Sequence, residues 1–347
     1  MLDPDAIREA RAGQPSLRER DLAAQLGLSE AELLAAHVGD GVHRIAADPD
    51  GLVPRLTALG EVMALTRNAS AVHEKVGRYA RYRGGRHAAM VLAGDIDLRI
   101  VPRHWVHAFA VARDADGGPR RSLQVFDAAG DAVHKVHLRD GSDVAAYGAL
   151  VRDLATGDRS RTLAVVPGPP PEGARSDPAR LDVLRADWAR MTDTHQFLRL
   201  TSRLGFNRLG AYRLVGAPHA VPLQAGAVDA ALSAAAAAAI PVMIFVGNRG
   251  CLQIHSGPIA TLRPMGPWQN VLDPRFNLHL RRDHVAEVWL VAKPTPRGDA
   301  VSVEAFDAEG RLILQIFGLR GEAGDVAAAA AWDAIARALP RLAGGPA

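Results

Sequence analysis

The sequence predicts an α+β protein in which one folding unit occurs twice. Residues 62–130 align without a gap on residues 242–310 at a constant offset of 180, and a repeat of this length indicates a duplicated fold. Both copies contain short segments with strand character between helical segments. We therefore expect two similar halves, each with a large antiparallel β-sheet flanked by helices.

The repeat is carried by identities that are spread along both copies. They include Val62 with Val242, Met63 with Met243, Asn68 with Asn248, Gly77 with Gly257, Leu98 with Leu278, His104 with His284, and FDAAG at 126 with FDAEG at 306. Residues that both copies share are candidates for the scaffold, and residues found in one copy are candidates for function. His104 and His284 are therefore assigned to the scaffold.

Each copy is predicted to contain a helix, a series of strands and a closing helix. The predicted helices are 51–60, 143–155, 225–240 and 325–339; the predicted strands are 62–66, 89–94, 96–101, 105–112, 121–126 and 132–138 in the first copy, and 241–247, 270–273, 276–281, 286–293, 301–306 and 312–318 in the second. The Asp-Ala-Ala-Gly and Asp-Ala-Glu-Gly sequences predict hairpin turns between the last two strands of each copy.

The halves are separated by the proline-rich sequence VVPGPPPEGARSDP. Clustered prolines are excluded from helices and inner strands, so residues 165–178 are predicted to be a linker. The domains are then a first repeat at 1–164 and a second repeat at 179–347. A chain of 347 residues is long enough for two cores.

Composition narrows the class of protein. The 41 basic and 38 acidic residues give a net charge of +3, which is too small to indicate nucleic-acid binding, and no apolar run is long enough to predict membrane insertion. The single cysteine, Cys251, excludes an internal disulfide and a multi-cysteine zinc site. The N-terminal sequence has no pattern of a secretory signal, so we expect a cytoplasmic protein. DLAAQLGLSEAELLAA resembles a helix-turn-helix, but we assign it to the repeat.

His195, in the sequence MTDTHQFLRL, occurs in one copy only, since its counterpart at the same offset is Pro15. Asp193 and Gln196 predict a capping box and a helix from about Thr194 to Gly205. His195 would then lie in the first turn, where the helix dipole favours a neutral imidazole that is able to bind a metal. The alternative is a partly buried histidine that is hydrogen-bonded to the backbone.

Arg99 is the second residue that the repeat does not require, because its counterpart is His279. Strand alternation in DIDLRIV places Arg99 opposite the apolar face formed by Ile96, Leu98 and Ile100. An arginine in the middle of a strand has a specific partner if that face is covered, and the alternative is a solvated side chain on an open sheet. His73, replaced by Gln253 in the other copy, is a further candidate ligand whose alternative is a structural role.

Five motifs occur in one order along the chain: LTRNASAVHEKVGRY, DLRIVPRHW, MTDTHQFLRL, VMIFVGNRGCLQIHSG and VWLVAKPTPRG. Together they resemble the HemS/HmuS family, the bacterial haem-trafficking and hemin-degrading proteins of haem-uptake systems. The resemblance extends from about Leu22 to Leu339, which is nearly the whole chain.

The resemblance implies a cytoplasmic protein that holds one haem b, as substrate or cargo, in a cleft between its two halves. By motif, His195 is the proximal iron ligand, Arg99 is the distal and catalytic residue, and His73 is a possible secondary ligand. The remaining haem contacts implied by the resemblance, at the propionates or along the ring, are Arg208, Phe245, Lys293, Gln315 and Arg320. The sequence departs from the family pattern at Val101, where a larger apolar residue is usual, and at Phe317, where tyrosine is common.

Two activities follow from the resemblance. The first is oxidative haem degradation with dioxygen, and it needs an external reductant or reductase because the sequence has no Gly-x-Gly-x-x-Gly fingerprint for a nicotinamide or flavin. The second is a haem carrier without enzymatic activity. In both cases the expected partners are haem and a haem importer on its cytoplasmic side.

Overall fold

A computed structural model describes residues 2–92, 94–114, 118–319 and 326–342. The chain divides into two compact units: unit 1 is Met1–Arg67, His73–Pro169 and Gly247–Gln253, and unit 2 is Asn68–Val72, Pro170–Val246 and Ile254–Ala347. The main boundary, between Pro169 and Pro170, lies inside the proline-rich segment. Each unit also contains one short segment from the other half of the sequence, which a simple division into two repeats does not include.

Unit 1 contains the helices and strands of the first repeat. The helices are α1 Pro4–Gly13, α2 Glu19–Gln25, α3 Glu30–Ala35, α4 Pro49–Leu52 and α5 Val144–Leu154; the strands are β1 Val42–Ile45, β2 Val62–Arg67, β3 Ala71–Gly77, β4 Tyr82–Arg83, β5 Ala89–Leu92, β6 Asp97–Ile100, β7 His107–Arg113, β8 Arg120–Phe126 and β9 Ala132–Leu138. In its sheet β1, β7, β8, β9 and β2 pair antiparallel in this order, with β3 next to β2. Strands β4, β5 and β6 form a second antiparallel group.

Unit 1 buries apolar side chains where its helices cover the strands. One core joins Leu56 and Leu59, which precede β2, and Leu150 of α5 to the strand residues Leu98 and Val136. A second joins α3 to Phe109 and Phe126, and its Leu34 is completely buried. Helix α3 packs inward with most of its side chains, among them Ala31, Leu34 and Ala35.

Unit 2 repeats this arrangement. Its helices are α6 Leu181–Ala189, α7 Gln196–Leu204, α8 Arg208–Val215, α9 Ala227–Ala237 and α10 Val326–Ala338; its strands are β10 Ala220–Leu223, β11 Val242–Gly247, β12 Cys251–Gly257, β13 Leu262–Met265, β14 Trp268–Asp273, β15 Phe276–Arg281, β16 Glu287–Lys293, β17 Ala300–Phe306 and β18 Leu312–Gly318. Strands β10, β16, β17, β18 and β11 pair antiparallel in this order, with β12 next to β11, and β13, β14 and β15 form a second group.

Side-chain alternation gives the main sheet of unit 2 two different faces. One face packs Leu290 and Val303 against α9 and α10, where Trp332 is buried. The other face packs Trp289 and Phe306 against α6, α7 and α8. Three candidate site residues, Phe245, Lys293 and Gln315, lie on this second face, and Arg208 lies on α8, which packs against it.

The α+β duplication with antiparallel sheets is confirmed, and the structure corrects details. The segment 51–60 is not one helix but α4 followed by a 3-10 helix, Val53–Leu59, because Pro54 lacks the N–H that a continuing α-helix needs. Strands β3 and β12 lie outside the predicted segments. They bury polar side chains such as Lys75 and His255, so their sequences lack a regular apolar alternation.

Asn68 and Asn248, the asparagine shared by both repeats, hold in place the short segment that each unit takes from the other half of the sequence. In unit 2 the Asn68 side chain accepts the backbone N–H groups of Ser70 and Ala71 at 2.9 Å each and donates to the carbonyl of Ile313 at 2.8 Å. In unit 1 Asn248 accepts in the same way from Gly250 and Cys251, and it donates to the carbonyl of Val133 at 2.8 Å. The identity of the two asparagines is therefore explained by the scaffold.

Unit 1 contains a buried polar network around His134. The Tyr79 hydroxyl lies 2.6 Å from Nε2 of His134, and the Thr66 hydroxyl lies 2.8 Å from Nδ1. Burial, with a smaller effect of His137, lowers the pKa of His134 to about 3, so the ring is neutral and accepts one of these bonds. The counterparts in unit 2 are apolar core residues: Ile259 for Tyr79, Leu314 for His134 and Val246 for Thr66.

Replacing Tyr79 with phenylalanine is expected to lower the free energy of unfolding by about 1–3 kcal/mol, because a buried ring nitrogen of His134 loses its partner. Urea denaturation followed by circular dichroism measures the loss. The matched control is Tyr82→Phe, which removes a hydrogen bond to Asp50 at an exposed position and should cost no more than about 1 kcal/mol. Equal losses in the two variants would contradict the role of the network.

Candidate functional site

His195 lies at the exposed end of α7 and is held by a neighbouring carboxylate. One oxygen of Asp193 accepts the backbone N–H of His195 at 2.8 Å and lies 2.7 Å from its Nδ1. A carboxylate accepts hydrogen bonds, so Nδ1 donates to Asp193, and in the neutral ring Nε2 is then the nitrogen that has the lone pair. The imidazole is 87% exposed. A partly buried, backbone-bonded histidine, the alternative from the sequence, is not what the structure contains.

The predicted capping box does not form. Helix α7 begins at Gln196 with His195 as its N-cap residue, and the Gln196 side chain accepts the backbone N–H of Thr192 instead of that of Asp193. The predicted end at Gly205 is confirmed, with this glycine at φ 70°. The Asp193 carboxylate is therefore used to orient the imidazole. The hydrogen bonds from the backbone and ring of His195 hold the pKa of Asp193 below its usual value.

The first turn of α7 is anchored in a core of aromatic rings. Phe197 is buried, and its ring centroid lies 5.1 Å from that of Trp188 and 5.5 Å from that of Tyr212. One residue, Gln196, separates this anchor from the exposed His195. The position of His195 is therefore defined by rigid packing, although its own ring faces solvent.

A cavity of about 410 Å³ lies beside the His195 segment within unit 2. Its lining includes Asp193 and Thr194 on one side and Thr295, Pro296 and Arg297 on the other. Ligand-binding cavities in proteins commonly have volumes of about 300–1,000 Å³. The segment that carries His195 is thus next to a space of suitable size.

Behind this segment Glu304 is the centre of a buried ionic cluster. Its carboxylate accepts from Nζ of Lys293 at 3.0 Å, from Nη1 of Arg208 at 3.0 Å, from the Tyr212 hydroxyl at 2.9 Å and from the Ser302 hydroxyl at 2.8 Å. Glu304 is 0% exposed and Lys293 is 3% exposed. Two cations therefore meet one carboxylate, which leaves the cluster with one positive charge in excess.

The cluster changes the proton affinities of its members. Burial raises the pKa of Glu304, but Lys293 and Arg208 outweigh it and hold the value at about 2. Burial lowers the pKa of Lys293 to about 8 in spite of the nearby carboxylate. At neutral pH all three groups are charged, so the excess positive charge is present under ordinary conditions.

Two further candidates, Gln315 and Phe245, continue from Glu304 across the same face of the sheet. Register pairs Glu304 with Gln315 and Gln315 with Phe245, so these side chains lie in one row over three strands. Gln315 is buried, whereas Phe245 is half-buried and makes an edge-to-face contact with Phe317 at 5.2 Å between ring centroids. The row leads from a charged to an aromatic part of the face, which suits a ligand with an acidic edge and an apolar ring.

Arg99 lies on β6 in unit 1, whereas His195 belongs to unit 2. The surroundings of Arg99 are therefore considered within unit 1. The predicted alternation is confirmed, since Ile96, Leu98 and Ile100 are buried and Arg99 is half-buried on the other face. Its guanidinium pairs with Asp97, two residues earlier on the same strand, and donates to the carbonyl of Leu98 at 3.1 Å. The partner expected for a mid-strand arginine is thus a carboxylate of its own strand.

The other candidates differ in what the structure says of them. His73 is completely buried in unit 1, which favours a structural role, and Arg320 lies outside the described residues. Sequence reasoning missed Glu304, Tyr212 and the orienting role of Asp193. The glutamate had a visible signal, because it is an acidic residue in the middle of the apolar strand sequence VSVEAF.

Two general observations limit the kind of site. Within residues 2–92, 94–114, 118–319 and 326–342, no group of three or more histidine, cysteine, aspartate or glutamate side chains is arranged to hold a metal ion. Over the same residues, the helices are too short or too polar to span a membrane.

The fold defines the class as a duplicated α+β protein with antiparallel sheets, and its relatives define the family. The family model of the haemin-degrading HemS/ChuX domain matches twice, at residues 27–154 and 205–339. The chain belongs to this family of haem-binding and hemin-utilisation proteins.

Individual relatives match over nearly the whole chain. The hemin transport protein HemS of Yersinia enterocolitica is 39% identical over 316 residues, which cover 90% of this chain and 91% of that protein. The crystal structure of holo-PhuS, a heme-binding protein from Pseudomonas aeruginosa, has a TM-score of 0.91 and 40% identity, and covers 98% of this chain and 100% of that one. The heme degrading enzyme ChuS of Escherichia coli O157:H7 has a TM-score of 0.87 and 33% identity, and covers 96% and 97%.

Proposed function

We propose that the chain binds haem b through Nε2 of His195 and degrades it oxidatively to release iron. The observation that carries the proposal is the Asp193–His195 pair, in which the carboxylate holds Nδ1 and leaves the other nitrogen exposed. Histidines that ligate metals usually donate their second ring N–H to such a partner, which fixes the tautomer and raises the basicity of the ligand. The haem iron takes a neutral imidazole of this kind.

The second face of the unit 2 sheet provides the complementary contacts. The excess positive charge of the Arg208, Lys293 and Glu304 cluster would attract a propionate, and Phe245 with Phe317 would pack against the porphyrin. Gln315, between them, is placed to donate a hydrogen bond. Arg320 is proposed as a further haem contact, at a propionate or along the ring, on the basis of its sequence motif.

Arg99 is proposed as the distal residue on the evidence of the Asp-Leu-Arg motif and its half-buried position. Its guanidinium stays protonated, so it would donate hydrogen bonds to oxygen ligands without competing for the iron. Asp97 pairs with it and would hold it in place. Haem supplies the oxygen chemistry when electrons and dioxygen are provided, while the protein orients it and excludes water.

A haem carrier is the second candidate, and the exposure of His195 favours it. A ligand that is 87% exposed before binding is accessible to a haem importer or an acceptor protein, as transfer requires. The same residues would serve both activities. A cytoplasmic location and an importer as partner belong to both proposals.

Hemin titration followed by reduction in air separates the two. The Soret band of the complex is recorded after addition of ascorbate with catalase present, since free peroxide also bleaches haem. Loss of the band with formation of a bilin and ferrous iron supports degradation. A stable reduced complex that passes its haem to apomyoglobin supports the carrier and contradicts the enzyme. Protein that does not bind hemin contradicts both.

Replacing Arg99 with alanine is expected to leave hemin affinity within a few fold and to slow turnover by roughly 10- to 100-fold. The reason is the loss of a charged hydrogen bond, worth about 1.5–3 kcal/mol. Single-turnover decay of the Soret band measures the rate. Arg152→Ala, at an exposed helix position of unit 1, is the control and should decay at the parent rate. Equal rates in the Arg99 variant and the parent would remove Arg99 from the distal role.

A further inference from the structure

The β4–β5 hairpin of unit 1 presents a concentrated positive charge. Between residues 78 and 94 the sequence has no acidic residue, and the exposed side chains of this stretch are dominated by cations. We call these residues the basic hairpin: Arg78, Arg81, Arg83, Arg86 and His87. All five are exposed.

These arginines have no charged partner among the residues that the structure describes. Within the part of the chain that the structure describes, no ion pair or side-chain hydrogen bond involves the guanidinium groups of the basic hairpin. Arginines elsewhere are commonly paired, as Arg113 is with Glu19 and Arg213 with Glu287. Like charges placed close together repel one another. Asp50 lies beside the hairpin, where it accepts the Tyr82 hydroxyl, but among the described residues it forms no ion pair with these arginines.

The fold does not require this charge. At the offset of 180, the counterparts of Arg78, Arg81, Arg86 and His87 are uncharged, and only Arg83 has an arginine, Arg263, in the second repeat. Arg81 is also held at φ 49°, in the left-handed region that ordinary side chains rarely adopt. A strained, unpaired arginine that the scaffold does not need points to an external partner.

The basic hairpin adjoins the face that carries Arg99. Register pairs Arg83 with Met90 and Met90 with Arg99, so the three side chains point to the same face over adjacent strands. Strands are spaced by about 4.8 Å, which puts the backbones at Arg83 and Arg99 about 10 Å apart. A protein that docks on the hairpin would therefore lie close to the proposed distal residue.

We infer that the basic hairpin is the docking surface of an acidic electron-donor protein, one that carries a flavin or an iron–sulfur centre. This inference rests on the proposed function, which requires electrons from outside the chain. In each encounter one electron passes from the reduced centre of the donor, which is oxidised, to ferric haem, which is reduced to ferrous haem; no bond is formed or broken. A patch of one sign steers an oppositely charged partner and raises its rate of association by about 10- to 1,000-fold.

An acidic protein fits the hairpin better than a nucleic acid does. Proteins that bind DNA typically neutralise about 6–10 phosphates along an extended basic surface, whereas here the charge is concentrated in one hairpin of a chain with a net charge of +3. The helix that would resemble a DNA-reading element, α3, is buried. The compact patch is suited to an acidic protein surface of similar size.

The test compares two variants that lose the same number of charges. The first replaces Arg78, Arg81, Arg83 and Arg86 with glutamine; the matched control replaces the exposed arginines Arg18, Arg120, Arg152 and Arg159 with glutamine. Hemin-loaded proteins are mixed without oxygen with an acidic, reduced two-iron ferredoxin of the plant type, and in parallel with a small uncharged quinol. Stopped-flow spectroscopy of the Soret band gives the rate of haem reduction. Circular dichroism and hemin affinity verify that the variants are folded and loaded.

We expect the hairpin variant to lose at least about tenfold in the rate with ferredoxin at an ionic strength of about 10 mM, and the control variant to lose less than about twofold. The difference should disappear at about 1 M salt, where the Debye length falls from about 30 Å to about 3 Å. The quinol should reduce all three proteins equally. Because the assay contains no oxygen, the rate of haem reduction reports on docking of the donor even if the complex is unable to degrade haem.

Other results overturn the inference. Equal losses in the two variants mean that only total charge matters, and an equal loss with quinol means that the arginines act on the haem. A slower capture of free hemin by the hairpin variant, with normal ferredoxin kinetics, assigns the hairpin to haem entry instead. Competition by a short DNA duplex that depends on the same arginines, with ferredoxin rates unaffected, assigns it to nucleic acid.

Discussion

Replacing His195 with alanine is expected to weaken hemin binding by about 100-fold or more and to move the Soret maximum of any residual complex. The iron would lose the ligand whose Nε2 is exposed by the Asp193 hydrogen bond at Nδ1. Loss of an outer partner alone commonly costs 10- to 100-fold in metal affinity, so loss of the ligand itself should cost more. Spectrophotometric hemin titration against a competing apoprotein measures both quantities.

Asp193→Asn is the matched variant, since it keeps the shape of the side chain but weakens the bond to Nδ1. It should give an intermediate affinity, about 10- to 100-fold below the parent, with the Soret maximum of an imidazole complex. Arg203→Ala, in the last turn of α7 and paired with Asp187, should bind hemin normally. If the His195 variant retains the parent spectrum and affinity, the ligand is another residue and the proposed site is wrong.

The sequence predicted the parts of this site that depend on local pattern. His195 stood out because its repeat counterpart is Pro15, and the end of its helix was marked by Gly205. The face of Arg99 followed from the alternation of apolar residues along one strand. In each case the physical cause acts within a few residues of the chain, so a single segment of sequence contains the information.

The parts that were missed depend on contacts between distant segments. Glu304 meets Arg208 and Tyr212 only because α8 packs on the sheet, since these partners are 96 and 92 positions away from it in the chain. The role of Asp193 as the partner of the His195 ring was not predicted for a different reason. Its position suits a helix cap as well as a ring partner, and the choice between these two hydrogen bonds is made by the backbone of the turn before α7.

The two repeats differ in the polar groups that each buries. Unit 2 places Lys293 and Glu304 at positions that are Arg113 and Gln124 in unit 1, while unit 1 places His134 and Tyr79 where unit 2 has Leu314 and Ile259. Duplication supplied the same sheet twice, and the buried polar groups then diverged. The cluster of unit 2 lies on the face that also carries α7, and Arg208 and Lys293 lie over the Phe197 ring in the first turn of that helix, so the charge of the cluster is close to the turn that carries His195.

Replacing Glu304 with glutamine is expected to lower the free energy of unfolding by about 3–5 kcal/mol at neutral pH, because Lys293 and Arg208 would remain buried without a counter-charge. Urea denaturation measures this loss. Glu287→Gln is the control, since it removes a more exposed carboxylate that pairs with Arg213 and should cost no more than about 1 kcal/mol. Similar losses for the two variants would mean that the cluster does not stabilise unit 2.

The same variant gives a pH test with a defined sign. The folded pKa of Glu304, about 2, lies below its ordinary value of 4.5, so its contribution is complete above about 4.5 and is lost as the pH falls toward 2. The difference in stability between the parent and the Glu304→Gln variant should therefore be constant near neutral pH and shrink progressively in this acid range. A difference that stays constant down to pH 2 would show that the ionised carboxylate is not what holds the two cations. Glu304 neutralises one of the two cations of the cluster, so replacing it with glutamine also changes the charge that would attract a propionate. Hemin affinity measured on the folded Glu304→Gln variant should therefore differ from that of the parent.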